Sequence, residues 1–194
     1  MKREMGSADI PKPWKVIHTK TVYENKVMKL KEHESVSKET GNKVVFSVIE
    51  CPAWVNIIAL TKKREVVLIR QYRAGSGEVG LEIPGGMMDP EDGSPIDAAQ
   101  RELLEETGFS GTNWIQIGKI RPNPAFLDNF CYTYLVEEVE KTAEPSLDSS
   151  EELSVECRPL DSIPGLIASG EIDHALVVTA FTWLFGLDDR VNRK

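Results

Sequence analysis

Hydrophobic and polar residues alternate along much of the N-terminal quarter of the chain. The alternating stretches are Lys15–Tyr23, Val27–His33 and Lys43–Ile49, and polar turn residues separate them. A period of two residues is typical of strands, so the pattern predicts three antiparallel strands. Strands this short bury little apolar surface by themselves. The small sheet therefore needs a partner surface, either the main domain or a second subunit.

The rest of the chain mixes strand-like and helix-like patterns. Val55–Leu60 and Glu65–Tyr72 predict a hairpin, and further strands are predicted at Leu81–Ile83, Trp114–Ile120, Phe130–Val136 and Ser154–Arg158. Helical spacing covers the segment from Pro95, then Leu160–Ser169 with an interruption near Pro164, and finally His174–Leu187. Mixed strands with flanking helices predict an α/β sandwich. We expect residues 1–50 to form a separate N-terminal sheet and residues 51–194 to form the main domain.

The predicted helix after Ser94 has clear ends and an acidic surface. Ser94 is a good N-cap, and Gly108 can end the helix in the left-handed conformation. Residues three and four apart share a helix face, so Glu102 lies beside Glu105 and Glu106. Like charges this close are unfavourable unless a cation compensates them. Either this is the solvated face of a surface helix, or it binds a hard divalent cation such as Mg²⁺ beside a substrate phosphate.

Composition excludes several classes of function. The 194 residues include 31 acidic and 23 basic side chains, and the net charge of −8 argues against non-specific nucleic-acid binding. No apolar run reaches the length of a membrane span, and the N-terminus lacks the apolar core of a signal peptide. Cys51, Cys131 and Cys157 are widely spaced, which predicts buried, reduced thiols in a cytoplasmic protein. The three histidines show no ligand spacing and receive no chemistry.

The segment from Gly85 to Phe109 resembles the Nudix box. The defined positions of its second half are occupied by Arg101, Glu102, Leu103, Glu105, Glu106, Gly108 and Phe109. One extra residue precedes Ser94 in the first half, so Glu91, Asp92 or neither takes the role of the isolated glutamate. The segments Val66–Arg73, Leu81–Gly86 and Arg121–Phe126 extend the resemblance towards the ADP-ribose pyrophosphatase and nucleoside-diphosphate-sugar hydrolase branch. The resemblance implies a Nudix-type α/β/α sandwich with a mixed sheet.

The resemblance also implies a metal site that holds Mg²⁺, with Mn²⁺ as the alternative. Glu102 and Glu106 would be the main ligands, with Glu105 beside them in a catalytic or secondary role. The backbone carbonyl of Gly85 would add a further ligand, unless the glycine serves only a tight turn. Glu82 would orient the site or assist the metal, although it could also be a surface residue of an edge strand.

A general base is implied in an acidic loop after the core strands. Glu151 is the first candidate and Glu152 the second, against the alternative of a solvated acidic loop. In the resembled branch the N-terminal sheet is commonly exchanged between the subunits of a dimer, so we expect a homodimer.

Five residues are candidates for substrate contacts. Arg73 can bind phosphate through its guanidinium group, whereas Arg70 lies on a predicted strand and could instead pair with a carboxylate. Trp14 could stack on an adenine or another base, or else pack at an interface. The resemblance adds Pro124, which hints at ADP-ribose-type substrates, and Phe126 in the loop that follows.

The resemblance thus implies hydrolysis of the diphosphate linkage in ADP-ribose or a related nucleoside-diphosphate sugar. The products would be a nucleoside monophosphate and a sugar phosphate, and no nucleic-acid or membrane partner is expected. Two alternatives stay open. One is a Nudix-like module that senses a nucleotide without cleaving it. The other is a Nudix hydrolase of dinucleoside polyphosphates, coenzyme A or oxidised nucleotides.

Overall fold

The computed structural model describes residues 10–147 and 152–191, with side chains described as far as residue 186 in the last helix. The chain forms two compact units. The first comprises the residues up to Cys51 together with Asn123–Asp128, and the second comprises Pro52–Pro122 and the chain from Asn129 onward. The short segment Asn123–Asp128, which the sequence pattern assigns to the main domain, therefore belongs to the first unit.

The first unit is built on a three-stranded antiparallel sheet, which confirms the three predicted strands. Its strands are β1 (Lys15–Glu24), β2 (Lys29–Val36) and β3 (Lys43–Glu50), in that order across the sheet. The end of β3 also pairs with the segment Asn123–Asp128, since Ile49 N donates to Phe126 O at 2.7 Å. All residues of β1 are exposed, so this small sheet keeps much of its apolar surface uncovered.

As far as its residues are described, the second unit contains an eight-stranded sheet and three α-helices. The strands are β4 (Trp54–Thr61), β5 (Glu65–Arg73), β6 (Glu78–Glu82), β7 (Gly85–Met87), β8 (Phe109–Ser110), β9 (Asn113–Ile120), β10 (Cys131–Lys141) and β11 (Leu153–Pro159). The helices are α1 (Pro95–Thr107), α2 (Ile163–Ala168) and α3 (Ala175–Val191). Strands β4 and β10 pair in parallel and their other pairings are antiparallel, which makes the sheet mixed.

The core lies on both faces of this sheet. Successive side chains of a strand point to opposite faces, so β4 contributes to two apolar clusters. Val55 and Ile57 pack in the cluster that includes Leu103 of α1. Ile58 packs on the other side, in the cluster that includes Phe181 of α3. Helices on both faces of a mixed sheet confirm the predicted sandwich.

Two sequence predictions need correction. Pro164 does not interrupt a helix: Leu160–Ser162 form a short 3-10 helix, and Pro164 lies in the first turn of α2, where its missing N–H has no intrahelical partner to lose. The thiols also differ from the expectation of burial. Cys131 is buried, and this raises its pKa to about 12, but Cys157, on the edge strand β11, is exposed. None of the described helices is long and apolar enough to cross a membrane.

Candidate active site

Helix α1 is fixed in position by its caps and by its apolar side. Ser94 Oγ accepts a hydrogen bond from Asp97 N at 3.4 Å and donates one to Asp97 Oδ2 at 2.6 Å. Gly108 ends the helix with a φ of 73°, and its N–H donates to Leu104 O at 2.8 Å. Ala99 and Leu103 are buried against the sheet. The acidic side of the helix is consequently held in one orientation.

A cavity of about 480 Å³ lies beside this acidic side. Its lining includes Glu102, Glu105 and Glu106 of α1, and Gly85 and Gly86 of β7. The structure therefore brings the acidic residues and the glycine turn of the sequence motif together at one site. A cavity of this volume is within the usual range for a small-molecule site.

Two of these carboxylates are buried. Glu106 is 2% exposed, and its Oε2 accepts a hydrogen bond from Gly85 N at 2.9 Å. Glu102 is 8% exposed and lies so close to β7 that a methyl group on Gly86 would be 2.3 Å from its Oε1. Burying ionised carboxylates is costly unless a cation or hydrogen bonds compensate them. The absence of a side chain at Gly86 is what makes room for Glu102.

Arg101 supplies part of this compensation and organises the acids around it. Its guanidinium donates to Asp92 Oδ2 at 2.8 Å, to Glu105 Oε2 at 3.0 Å and to Glu102 Oε1 at 3.1 Å. These contacts, above all the bond to Asp92, raise the pKa of Arg101 and lower that of Asp92. Asp92 is thereby committed to Arg101, while Glu91 is exposed.

Arg73, which also lines the cavity, forms a bidentate pair with Glu82. Arg73 Nε and Nη2 donate to the two carboxylate oxygens of Glu82, each at 2.9 Å. Glu82 is buried, so it is not a surface residue of an edge strand. His174 Nδ1 lies 3.5 Å from Glu82 Oε2, and both Arg73 and His174 line the cavity.

The remaining sequence-predicted contacts lie elsewhere or stay predictions. Arg70 binds the carboxylates of Glu156 and Glu171, the latter at 2.7 Å, which is the pairing that its strand position left open. Glu152 is exposed, and Glu151 lies outside the described residues. Three further candidates belong to the first unit, and their contacts with substrate stay predictions: Trp14, Pro124 and Phe126.

Three cavity residues carried no role in the sequence analysis. Asn56 at the start of β4, Gln71 near the end of β5 and His174 before α3 all line the cavity. Trp54, which by its residue type could stack on a base or pack at an interface, lines it as well. Asn56 had a signal of its own, because it is the one polar residue within the apolar run Val55–Leu60. His174 had none, since a single histidine before a helix follows no ligand spacing.

The donor set suits a hard divalent cation. Within residues 10–147 and 152–191, no three acidic, histidine or cysteine side chains are already gathered at metal-binding distances. The carboxylates of Glu102 and Glu106 nevertheless line one cavity, and the side-chain-free backbone of Gly85 and Gly86 borders it. Oxygen ligands of this kind are what Mg²⁺ and Mn²⁺ prefer.

Comparison with protein families identifies the group to which this architecture belongs. Residues 52–181 match the family model described as the NUDIX domain. The chain belongs to the Nudix family. The matched range contains α1 and most of the second unit, and members of this family of hydrolases generally use divalent metal ions.

Individual relatives support the same assignment of this Nudix hydrolase. An ADP-ribose pyrophosphatase of Bacillus subtilis (strain 168) is 27% identical over 171 residues, which cover 88% of this chain and 91% of that protein. A methanol dehydrogenase activator of Bacillus methanolicus is 26% identical, with the same coverage of each chain. The crystal structure of an ADP compounds hydrolase matches with a TM-score of 0.80 at 20% identity, covering 93% of this chain and 97% of that one. This likeness confirms the predicted fold class.

Proposed function

We propose that this Nudix hydrolase cleaves the diphosphate linkage of ADP-ribose or a related nucleoside-diphosphate sugar, with Mg²⁺ or Mn²⁺ as cofactor. The observation that carries the proposal is the pair of buried carboxylates, Glu102 and Glu106, on the wall of a cavity of about 480 Å³. The similarity to the ADP-ribose pyrophosphatase of Bacillus subtilis supports the choice of substrate. With ADP-ribose the products would be AMP and ribose 5-phosphate.

Glu102, Glu106 and the carbonyl of Gly85 are the groups that would hold the metal. A divalent cation bound there supplies charge neutralisation for the diphosphate and lowers the pKa of an attacking water. The protein holds these ligands in place, since Gly85 N–H binds Glu106 and Arg101 binds Glu102 and Glu105. Fixed ligands of this kind reduce the reorganisation that the reaction requires.

Arg73 would bind the diphosphate. Its guanidinium lies on the cavity wall and is oriented by two hydrogen bonds from its own nitrogens to the buried carboxylate of Glu82. A planar guanidinium matches phosphate oxygens, and holding it in one orientation lowers the entropy that binding loses. Glu82 then acts by orienting Arg73.

The general base would come from the connection between β10 and β11, with Glu151 as the first candidate and Glu152 as the second. The chain that leads into this connection is tied to the acidic helix, because Ser146 N donates to Glu105 O at 2.8 Å and Ser146 lines the cavity. The pH–rate profiles of Glu151→Gln and Glu152→Gln identify the base, because its loss removes the acidic limb of the profile.

We also propose a homodimer in which the exposed apolar residues of the small N-terminal sheet are covered. Val16, Val45 and Phe46 are among the exposed apolar side chains of β1 and β3. Light scattering at several protein concentrations tests this: a single species with twice the chain mass supports the dimer, and a monomer at every concentration contradicts it.

The activity is tested with a panel of ADP-ribose, other nucleoside-diphosphate sugars and a dinucleoside polyphosphate, each with Mg²⁺, Mn²⁺ or chelator. We expect metal-dependent turnover that is most efficient on one of the sugar nucleotides. Glu106→Gln should lower kcat/KM by about 100-fold or more, as the loss of a group that positions charge at the reacting centre does. Its control is Glu144→Gln, whose side chain is 87% exposed.

One relative is named for the activation of another enzyme, so the nucleotide-binding alternative has to be tested by the same panel. Tight binding of a sugar nucleotide without turnover at any metal concentration would favour a binding module. Turnover that is unaffected by Glu106→Gln would contradict the assigned role of that carboxylate.

A further inference from the structure

His174 joins the cavity lining from the start of helix α3. It lies immediately before the first residue of α3, and Val178 N donates to His174 O at 3.0 Å. Two residues further along the helix, Val177 and Phe181, are buried in the apolar core. The imidazole is therefore carried by an element that the core holds in place.

The accessible and the inaccessible parts of the His174 ring differ. Among the residues that the structure describes, Nδ1 is one of four side-chain atoms that are buried without a hydrogen-bond partner. The side chain as a whole is nevertheless 41% exposed, so its accessible surface lies on the rest of the ring. A buried nitrogen is out of reach of a ligand in the cavity, and its hydrogen bond has to be completed by the protein.

The acceptor beside Nδ1 is the carboxylate of Glu82. Glu82 Oε2 lies 3.5 Å from His174 Nδ1, and the same oxygen accepts a hydrogen bond from Arg73 Nη2 at 2.9 Å. The Glu82 side chain is only 3% exposed, so this contact is shielded from solvent. An ionised carboxylate only accepts, so Nδ1 has to carry the proton, as it does in the imidazolium and in one neutral tautomer. One buried oxygen thus serves both the arginine and the histidine.

The separation of Nδ1 and Oε2 is longer than a hydrogen bond, and closing it requires a movement of about 0.5 Å. Hydrogen bonds at active sites are often long before substrate binds and shorten in the complex. We propose that His174 is a positioning residue, which holds Glu82 and through it orients the guanidinium of Arg73 for the diphosphate. The inference rests on the proposed function, and it extends the chain of contacts from Arg73 to helix α3.

Substitutions of His174 by asparagine, glutamine and leucine separate the roles of its two ring nitrogens. The amide nitrogen of asparagine is the same number of bonds from Cβ as Nδ1, that of glutamine matches Nε2, and leucine has neither. We expect His174→Leu and His174→Gln to raise KM for the best sugar nucleotide about tenfold, and His174→Asn to keep it near the wild-type value. In all three variants kcat should stay within about twofold, because losing an interaction that substrate and transition state share raises KM alone.

A second substitution tests whether His174 acts through Arg73. Arg73→Gln keeps a donor for the buried Glu82 but has no charge for the diphosphate. In that background His174→Leu should raise KM no further, since the effects of coupled residues do not add. Asp173→Asn is the control, because Asp173 is exposed beside His174 and is not part of the cavity lining. Thermal unfolding checks each variant, and the comparison of asparagine with glutamine decides if the leucine variant fails to fold.

Several results would overturn the positioning role. A low KM that is kept by His174→Gln and lost in His174→Asn would indicate a direct contact of Nε2 with the substrate. A lower kcat at unchanged KM would show only a loss of folded enzyme. Nitrogen-15 NMR tests the contact without any turnover: we expect the neutral imidazole to carry its proton on Nδ1, and a proton on Nε2 would contradict the pairing with Glu82.

Calorimetric titration with ADP-ribose in chelator distinguishes failure of this inference from failure of the proposed function. Binding that His174→Leu weakens and His174→Asn retains, in a protein with no turnover, supports the positioning role and refutes the diphosphatase. Turnover that none of the His174 variants alters supports the diphosphatase and refutes the positioning role. The absence of both binding and turnover with every sugar nucleotide refutes both.

Discussion

The adjacent glycines Gly85 and Gly86 allow a direct test of the site. The same substitution to alanine should lower activity at Gly86 and stability at Gly85. Neither glycine has a positive φ, so alanine is compatible with the local backbone at each. A methyl group on Gly86 would lie 2.3 Å from Glu102 Oε1, the mobile end of a side chain. A methyl group on Gly85 would lie 2.2 Å from Val55 O, which is backbone.

The magnitudes follow from these distances. Ordinary van der Waals contact begins at 3.4 Å, so Gly86→Ala requires the Glu102 carboxylate to retreat by about 1.1 Å, the difference between 3.4 and 2.3 Å. A displacement of this size at a reacting centre lowers activity about 100-fold. Because a side chain can move without breaking the sheet, the free energy of unfolding should change by less than about 1 kcal/mol.

Gly85→Ala should act on the fold instead. Its methyl group would press on the β4 backbone, and overpacking of this kind costs about 1–3 kcal/mol. Urea denaturation of both variants, together with kcat/KM on the best sugar nucleotide, measures the two effects side by side. If Gly86→Ala kept wild-type activity, or lost activity only in proportion to lost stability, the placement of Glu102 against β7 would be refuted.

Three further changes have expected outcomes. The lysine of Arg101→Lys has no planar guanidinium and cannot bind Asp92 and Glu105 together. We expect kcat/KM to fall about 10- to 100-fold, as it does when a residue that hydrogen-bonds a metal ligand is lost. Unchanged kcat/KM would contradict this. Gly108→Ala should cost roughly 1–3 kcal/mol in urea denaturation while folded molecules keep their kcat, because its φ is 73° and a methyl group would lie 2.0 Å from Ala143 O. The pKa of Asp92 is lowered in the folded state, so the stability that Asp92 contributes is present above its unfolded pKa of 3.8 and is lost as pH falls through the folded value. The stability gap between wild type and Asp92→Asn should therefore close on acidification, and a gap that widened would contradict this.

Helix α1 could be predicted in detail because its determinants are local. Ser94, Pro95 and Gly108 act within one turn of the ends that they define, and the spacing of Glu102 and Glu106 alone places them on one face. The sequence therefore predicts which acids share a surface. It also predicts the main strands, since alternation over five or more residues is a strong local signal.

Strand β7 and the Arg73–Glu82 pair depend on contacts distant in sequence. Gly85-Gly86 reads as a turn, because glycine has little intrinsic strand preference. Its pairing with β4 becomes visible only when Trp54 and Met87 are placed opposite each other. In the same way, the sequence indicates only a candidate phosphate contact for Arg73, and it is the pairing of β5 with β6 that brings Glu82 within 2.9 Å of it.

The cavity lining also shows why charged site residues are easier to predict than neutral ones. Clustered like charges are unfavourable unless water or a cation compensates them, so Glu102, Glu105 and Glu106 predict either a solvated face or a cation site before any fold is known. A single asparagine in an apolar strand, such as Asn56, marks an unusual position but does not by itself indicate a ligand, because a neighbouring group can satisfy its amide. Only the folded structure shows that Asn56 and Gln71 each have a buried atom without a partner beside the acidic helix. Neutral residues of the cavity therefore have to be found in the structure, whereas the clustered acids can be found from their spacing.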